Sequence, residues 1–384
     1  MNGPARYGQE GDLQACRALL RDGSRTFYAA SHLLPARVRD PAIALYAFCR
    51  VADDAVDLAS ESDPREASDP TSTHMAAERA LARLHHRLDR VYAGSPLPQP
   101  ADRAFADVVE RFAIPRTLPL ALLEGFEWDT QGRQYASMEA LHGYAVRVAG
   151  TVGVMMALLM DVRNPQALAR ACDLGIGMQL TNIARDVGED ARAGRLYLPL
   201  EWLEAEGIDP VQWLADPQPD ERIARVVERV LVAADNAYAR ARDGIAALPV
   251  DCRSGIDAAG RLYSEIGEQV RRNGLDSVSR RAVVRGRRKL WVTLPALFAV
   301  AKASGGGAAK PAIQAAQFLI NAVISEPLVP RRPVGNLQPA GVRLAGGRLW
   351  RWIVSIDDSL GRVLEMLERL EREEQAGLRG VSRT

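Results

Sequence analysis

Cysteine, histidine, net charge and long apolar runs are all scarce in this chain. Its 384 residues include four cysteines, and Cys16, Cys49, Cys172 and Cys252 show no CxxC spacing. That argues against a disulfide framework or a thiolate metal site and suits small buried residues in a reducing cytoplasm. His32, His74, His85, His86 and His142 have no partners at ligand spacing. A net charge of +1 gives no reason to expect bulk nucleic-acid binding. No run reaches the roughly 18 uninterrupted apolar residues of a spanning helix. The opening MNGPARYGQEGDLQ lacks the apolar core of a secretory signal. No alternating strand run is found either. DLGIG (Asp173–Gly177) is not a GxGxxG and follows no strand, so no dinucleotide fold is indicated. EALH (Glu139–His142) offers one Glu-x-x-His where a di-iron bundle needs two and further glutamates. What remains reads as all-α, 47% hydrophobic and 25% charged, long enough for one large helical domain or two ordinary ones.

Helical periods and breakers divide the chain. Leu13–Leu34 reads as a first helix containing SRTF, and Pro41 as the first-turn proline of the next, which stops near Ala59. Ser60–His74 is polar and proline-broken, a loop. Helical spacing returns over Ala76–Tyr92, Ala101–Phe112, Pro115–Asp129, Leu141–Met160, a segment opened by Pro165, Glu221–Leu248 and Cys252–Asn273. GRLYLP (Gly194–Pro199) breaks regularity. Gly150 and Gly153 lie inside a helical run at about 1 kcal/mol each, which implies either close approach of another helix or a floor for a bulky apolar ligand. After the basic SRRAVVRGRRKL (Ser279–Leu290) the character changes. Residues 1–300 read as one helical domain and 301–384 as an extension. In that extension lie SGGGAAKPA, the proline-rich Glu326–Gly341 and a charged helix over Ile356–Glu374. FLINAVI (Phe318–Ile324), beside arginines, reads as a packed helix rather than a membrane contact.

Two stretches stand apart, YAFCRVADDAVD (Tyr46–Asp57) and QLTNIARDVGED (Gln179–Asp190). At about 100° per residue, Tyr46, Arg50, Asp53 and Asp57 share a sector of roughly 60°, and Gln179, Asn182, Asp186 and Asp190 one of roughly 80°. Each helix thus carries a narrow polar stripe ending in two carboxylates a turn apart, with apolar residues on its other faces. Helices of that kind are buried, and buried carboxylates need a counterion. Arg50 alone cannot neutralise two pairs. Hard oxygen donors without Cys or His select Mg²⁺, with Mn²⁺ second. Mg²⁺ bridges readily to phosphate oxygens, so the site suits a diphosphate leaving group whose departure leaves a carbocation in an apolar cavity. A prenyl diphosphate is the substrate this implies. Arg25, Arg50 and Arg185 are guanidinium donors for the diphosphate, although Arg185 lies about 100° off its stripe.

SRTF, YAFCRVADDAVD, YAVRVAGTVG, QLTNIARDVGED and GRLYLP, in this order over roughly residues 15 to 295, resemble the squalene/phytoene synthase family, its bacterial phytoene-forming branch most. The resemblance implies a single isoprenoid-synthase-type helical bundle around a central apolar cavity. It also implies head-to-head condensation of two geranylgeranyl diphosphates through prephytoene diphosphate to phytoene, as in 15-cis-phytoene-forming prenyltransferases of carotenoid biosynthesis. Asp53, Asp54 and Asp57 match the family's first aspartate-rich motif, and Asp186 and Asp190 the second. The resemblance gives these five, with Tyr144 and Arg50, the catalytic roles. Metal would fall to Asp53, Asp57, Asn182, Asp186 and Asp190. Substrate would fall to Ser24, Arg25, Phe27, Tyr46, Gln179, Asn182, Arg185, Tyr197 and Tyr263. Arg25 departs from the lysine of some relatives but keeps the charge.

The implied cofactor is Mg²⁺ or Mn²⁺, without NADPH, since phytoene formation loses a proton where squalene formation is reductive. A squalene- or dehydrosqualene-type synthase using farnesyl diphosphate is the alternative. A non-catalytic assembly factor of the same fold is the alternative of another class, and it should have degraded acid motifs. A cytoplasmic location, peripheral contact with the inner face of a membrane and a downstream desaturase as partner complete the expectations.

Overall fold

The computed structural model describes residues 10–23, 28, 31–60, 70–298 and 310–325. Among these residues there are helices and no strand. The N-terminal half contains α1 (Glu10–Gly23), α2 (Ala36–Ser60), α3 (Pro70–Tyr92), α4 (Pro100–Phe112) and α5 (Thr117–Thr130). Next come α6 (Met138–Ala145), a π turn (Val146–Gly150) and α7 (Thr151–Leu159), which run on as one rod. The second half contains α8 (Pro165–Arg192), the short α9 (Leu200–Ala205) and α10 (Pro210–Ala215), α11 (Glu221–Arg242) and α12 (Val250–Arg272). Then follow α13 (Gly286–Phe298) and α14 (Gln317–Ser325).

Local chemistry sets the ends. Asn164 accepts from the backbone N–H groups of Gln166 and Ala167, and Pro165 takes the first turn of α8. Ser137 caps α6 in the same way, through Ala140 N–H. Several boundaries differ from the sequence reading. α11 ends at Arg242 and a 3₁₀ turn follows over Ile245–Ala247, so the helix does not run to Leu248. α2 starts at Ala36, with Val38 and Arg39 N–H on the Pro35 carbonyl, so Pro41 lies inside the helix. α3 starts at Pro70, so the end of the expected Ser60–His74 loop is already helical.

α8, about 42 Å long, is the axis of the second half and packs on α7, the π turn, α11 and α12. α2 does the same for the first half, against α1, α3 and α4. The two striped helices make at most marginal contact with each other and are joined through α5 and α7. The glycine question in the α6–α7 rod is settled by packing. A Cβ on Gly153 would collide with the Ala171 carbonyl, and one on Gly175 with the Ala149 carbonyl. The glycines therefore let two helix backbones approach. Met138–Leu159 is long and apolar enough to cross a membrane by composition, yet Leu141, Tyr144, Val154 and Met155 are in the core.

Residues 310–325 return to the bundle. Arg170 and Arg240 both donate to the Pro311 carbonyl, at 3.3 and 2.7 Å. Leu319, Ile320 and Val323 of α14 are buried, so FLINAVI is a packed helix. SGGG (residues 304–307), Glu326–Gly341 and Ile356–Glu374 lie outside the described residues.

Candidate active site

Each stripe is a strip of partial exposure on a buried helix. In α2, Ala42, Ile43, Ala44, Leu45, Ala47, Phe48 and Ala52 are buried, whereas Tyr46, Arg50, Asp53 and Asp54 retain surface. In α8, Ile176, Leu180, Ile183, Ala184 and Val187 are buried, and Gln179, Asn182, Asp186 and Asp190 retain surface. Solvent therefore reaches the acids along a cleft rather than over an open face.

Arg50 bridges the first stripe. Its Nη1 donates to Asp53 Oδ2 at 3.2 Å, and its Nη2 lies 2.5 Å from Asp54 Oδ1. Burial pushes the Tyr46 hydroxyl up to about 12, against the pull of Arg50. The Asp57 side chain lies outside the description, as do Ser24, Arg25 and Phe27. Gly23, the last described residue before them, lies against Tyr46 and the Arg50 stem.

The second stripe is held differently. Asp186 accepts from Arg185 of its own helix, at 2.7 Å for Nε, and from Arg281, at 2.8 Å for Nε. Arg185 thus reaches its stripe neighbour despite its angular offset, and it also faces Tyr263. Among the described residues no such cation pair is recorded for Asp190. Burial, then the Asp186 charge, pushes its carboxyl up to about 7, with Arg195 opposing.

Between the stripes stands a residue the sequence reading missed. Asp129, near the end of α5, accepts from Tyr144 Oη at 2.9 Å on one oxygen and from Tyr197 Oη at 2.7 Å on the other. Burial raises its carboxyl to about 6, opposed by those two hydroxyls and Arg195, with Asp53 adding to the rise. Asp129 in turn raises Asp190. One electrostatic field therefore spans Asp53, Asp129 and Asp190, and it links the two stripes. The rings of Tyr144 and Tyr197 stack at 5.2 Å, with Tyr135 5.3 Å from Tyr144. The Tyr135 hydroxyl is buried without a hydrogen-bond partner among the described residues, and orphaned groups of this kind are rare in folded proteins. The π turn begins two residues after Tyr144, a distortion that recurs at functional sites.

Among the described residues, no three acidic, histidine or cysteine side chains converge closely enough to form a metal cage by themselves. The donor set still fits a hard divalent cation. Asp53, Asn182, Asp186 and Asp190 are oxygen donors on surfaces open to the cleft, and burial, then the Asp186 charge, disfavours the ionised Asp190 carboxyl in a way a bound cation would relieve. A cation that keeps water and substrate oxygens among its ligands needs only one or two carboxylates from each side.

Gln179 and Asn182 lie on the α8 stripe as expected, and Tyr144, Tyr197 and Tyr263 all abut the cleft cluster or its arginines. Arg281 and Tyr135 were missed along with Asp129. Arg281 belongs to the basic run that the sequence offers only as a change of character. Its route to Asp186 depends on Val278 packing on Gly188 and on the Gly188 N–H donating to the Ser277 carbonyl at 2.9 Å.

Known proteins resemble this chain in sequence and in fold. The sequence model of the squalene/phytoene synthase family matches residues 20–288. A phytoene synthase of Rhodobacter capsulatus is 56% identical over 283 residues, 74% of this chain and 80% of that protein. A phytoene synthase of Cereibacter sphaeroides is 53% identical over 316 residues, covering 81% and 87%. Among solved structures, a ligand-bound dehydrosqualene synthase superposes with a TM-score of 0.64 at 27% identity, over 75% of this chain and 96% of that one. With the acid motifs intact and the fold shared, the chain belongs to the squalene/phytoene synthase family.

Proposed function

We propose that this protein is a phytoene synthase, a prenyltransferase that joins two geranylgeranyl diphosphates head to head by way of prephytoene diphosphate. The observation that carries the reading is the pair of acid stripes, each open along one strip of an otherwise buried helix and joined through Asp129. The 53–56% identity to proteins named phytoene synthase supports this product branch over the farnesyl-using one. The intact acids speak against a non-catalytic assembly role.

Asp53 and Asp57 from one side, and Asn182, Asp186 and Asp190 from the other, are the residues that would hold Mg²⁺ or Mn²⁺. When bound, the metal neutralises charge on the departing diphosphate. The chain's own groups do the rest. Arg50, Arg185 and Arg281 offer planar guanidinium donors to diphosphate oxygens, and each already sits on a stripe carboxylate. Binding of substrate then trades one anionic partner for another. Asp129 orients the Tyr144 and Tyr197 hydroxyls by taking both of their protons in hydrogen bonds. The stacked tyrosines place ring faces rather than water beside a cationic carbon. The buried apolar residues flanking the stripes exclude water, which would otherwise capture that carbon as an alcohol.

Incubation of the purified chain with geranylgeranyl diphosphate and Mg²⁺, without NADPH, should yield a forty-carbon hydrocarbon with a conjugated-triene chromophore. Turnover of farnesyl diphosphate with none of geranylgeranyl diphosphate would move the assignment to the shorter-chain branch.

A further inference from the structure

The chain carries a charge asymmetry that the active site does not absorb. From Ser277 to Ser325 there is no Asp or Glu, while eight Lys or Arg occur, in a protein of net charge +1. Six of the eight fall in ten residues, Arg280 to Lys289. This stretch is firmly anchored. Val278 packs on Gly188, Arg192 donates to the Val278 carbonyl at 2.5 Å, and Ala282, Val284, Thr293 and Ala296 are buried. Arg281 is engaged by Asp186 and Arg288 by Glu265.

The outward side is a different matter. Arg285 and Arg287 are exposed, Val283 is 60% exposed and Trp291 is 66% exposed. Trp291 is the one aromatic among the large apolar side chains exposed in the described residues. On α13, Arg287, Arg288, Trp291 and Pro295 recur at helical spacing on one exposed side, with buried Thr293 and Ala296 behind them. A tryptophan beside arginines on one face of an anchored helix is the pattern of a segment lying in the plane of an anionic bilayer surface. The ring enters the headgroup region and the guanidinium groups meet lipid phosphates.

We propose that the Val283–Pro295 segment is a docking surface for an anionic lipid bilayer, with Trp291 inserted and Arg285 and Arg287 on the headgroups. Charge complementarity selects this partner. A second copy of the chain would bring the same cations face to face, and a nucleic acid would leave Val283 and Trp291 in water. The position has a consequence for chemistry. Arg281, in the same segment, holds Asp186 of the second stripe, so the docked face adjoins a wall of the cleft. This part rests on the proposed function: a prenyl substrate and a hydrocarbon product both partition into lipid, and a cleft next to the bilayer shortens their path.

The test is sedimentation of the full chain with vesicles of phosphatidylcholine, with and without phosphatidylglycerol, read without substrate. The wild type should pellet with the anionic vesicles and not with the neutral ones, and salt at about 0.5 M should release it. Arg285→Gln combined with Arg287→Gln should weaken partition about 30-fold, and Trp291→Ala about tenfold. Both variants should keep wild-type helicity and turn over substrate in detergent. Absence of lipid binding, equal binding to neutral vesicles, or unchanged binding by both variants would overturn the proposal. Lipid-independent dimerisation lost in Trp291→Ala would also overturn it and assign the face to a second copy. Loss of turnover with partition intact would count against the proposed function alone.

Discussion

Asp129 shows what a single side chain contributes and what it costs. Its carboxyl receives two tyrosine hydroxyls in a buried setting, and its pKa lies near 6 rather than near 4. A carboxyl whose folded pKa is raised binds more protons when folded than when unfolded. Its contribution is therefore least unfavourable at low pH, and stability is lost as pH rises from about 4 through about 6. Asp129→Asn removes that burden. Above pH 6, without metal, the variant should gain about 1–3 kcal/mol in denaturant unfolding, and this gain should vanish near pH 4. Turnover should fall tenfold or more, because an amide offers only one acceptor oxygen to the two tyrosines. Unchanged turnover would show that the Asp129–tyrosine arrangement is structural only.

Such a residue is hard to see in a sequence. Asp53, Asp57, Asp186 and Asp190 announce themselves through a repeat along one helix, a local pattern that needs no knowledge of neighbours. Asp129 belongs to no acidic repeat along one face of α5, and its significance comes from Tyr144 and Tyr197, 15 and 68 residues away. Arg281 is similar, 95 residues from the carboxylate it holds. The stripes are legible as a repeat along each helix; of the side chains brought in by tertiary contact, Tyr144, Tyr197 and Tyr263 are reached only through the family resemblance, and Asp129, Tyr135 and Arg281 are not reached at all.

At the scale of elements, the bundle depends on backbones in contact. Gly153 and Gly175 sit where the α6–α7 rod, with its π turn, crosses α8, and the opposing atoms are carbonyl oxygens that cannot swing away. Gly153→Ala or Gly175→Ala should cost about 3 kcal/mol by overpacking. Gly143 is also helical, but a Cβ there reaches only the end of Arg147 at 4.0 Å. Gly143→Ala should be neutral or stabilising by up to about 1 kcal/mol. Thermal unfolding of the three variants checks the contrast, and equal losses at all three would argue against backbone approach as the cause. The sequence implied a purpose for paired glycines without choosing between a helix and a ligand, because both need the same missing side chain. It misread Pro41 for a related reason. A proline near a helix start usually marks the first turn, but here the Pro35 carbonyl begins the helix earlier.

Across the whole molecule, fold class followed from periodicity alone, since long helical repeats with no alternating runs leave few other options. What periodicity could not show is that the bundle extends past residue 300. Pro311 accepts from arginines of both α8 and α11, and α14 buries three apolar side chains. A chain ending at residue 300 should unfold at least about 6 °C lower than one ending at residue 325. Equal midpoints would show that α14 adds nothing to the bundle.

The central claim is that both acid stripes act on one diphosphate-bearing substrate. The direct measurement is hydrocarbon formed from geranylgeranyl diphosphate and Mg²⁺ by the wild type, Asp53→Ala and Asp186→Ala, with each protein first shown to be folded. The proposed function predicts a forty-carbon hydrocarbon with a conjugated-triene chromophore from the wild type and its loss, by a factor of about 10² or more, in each variant. Near-wild-type product from either folded variant would contradict a site shared between α2 and α8.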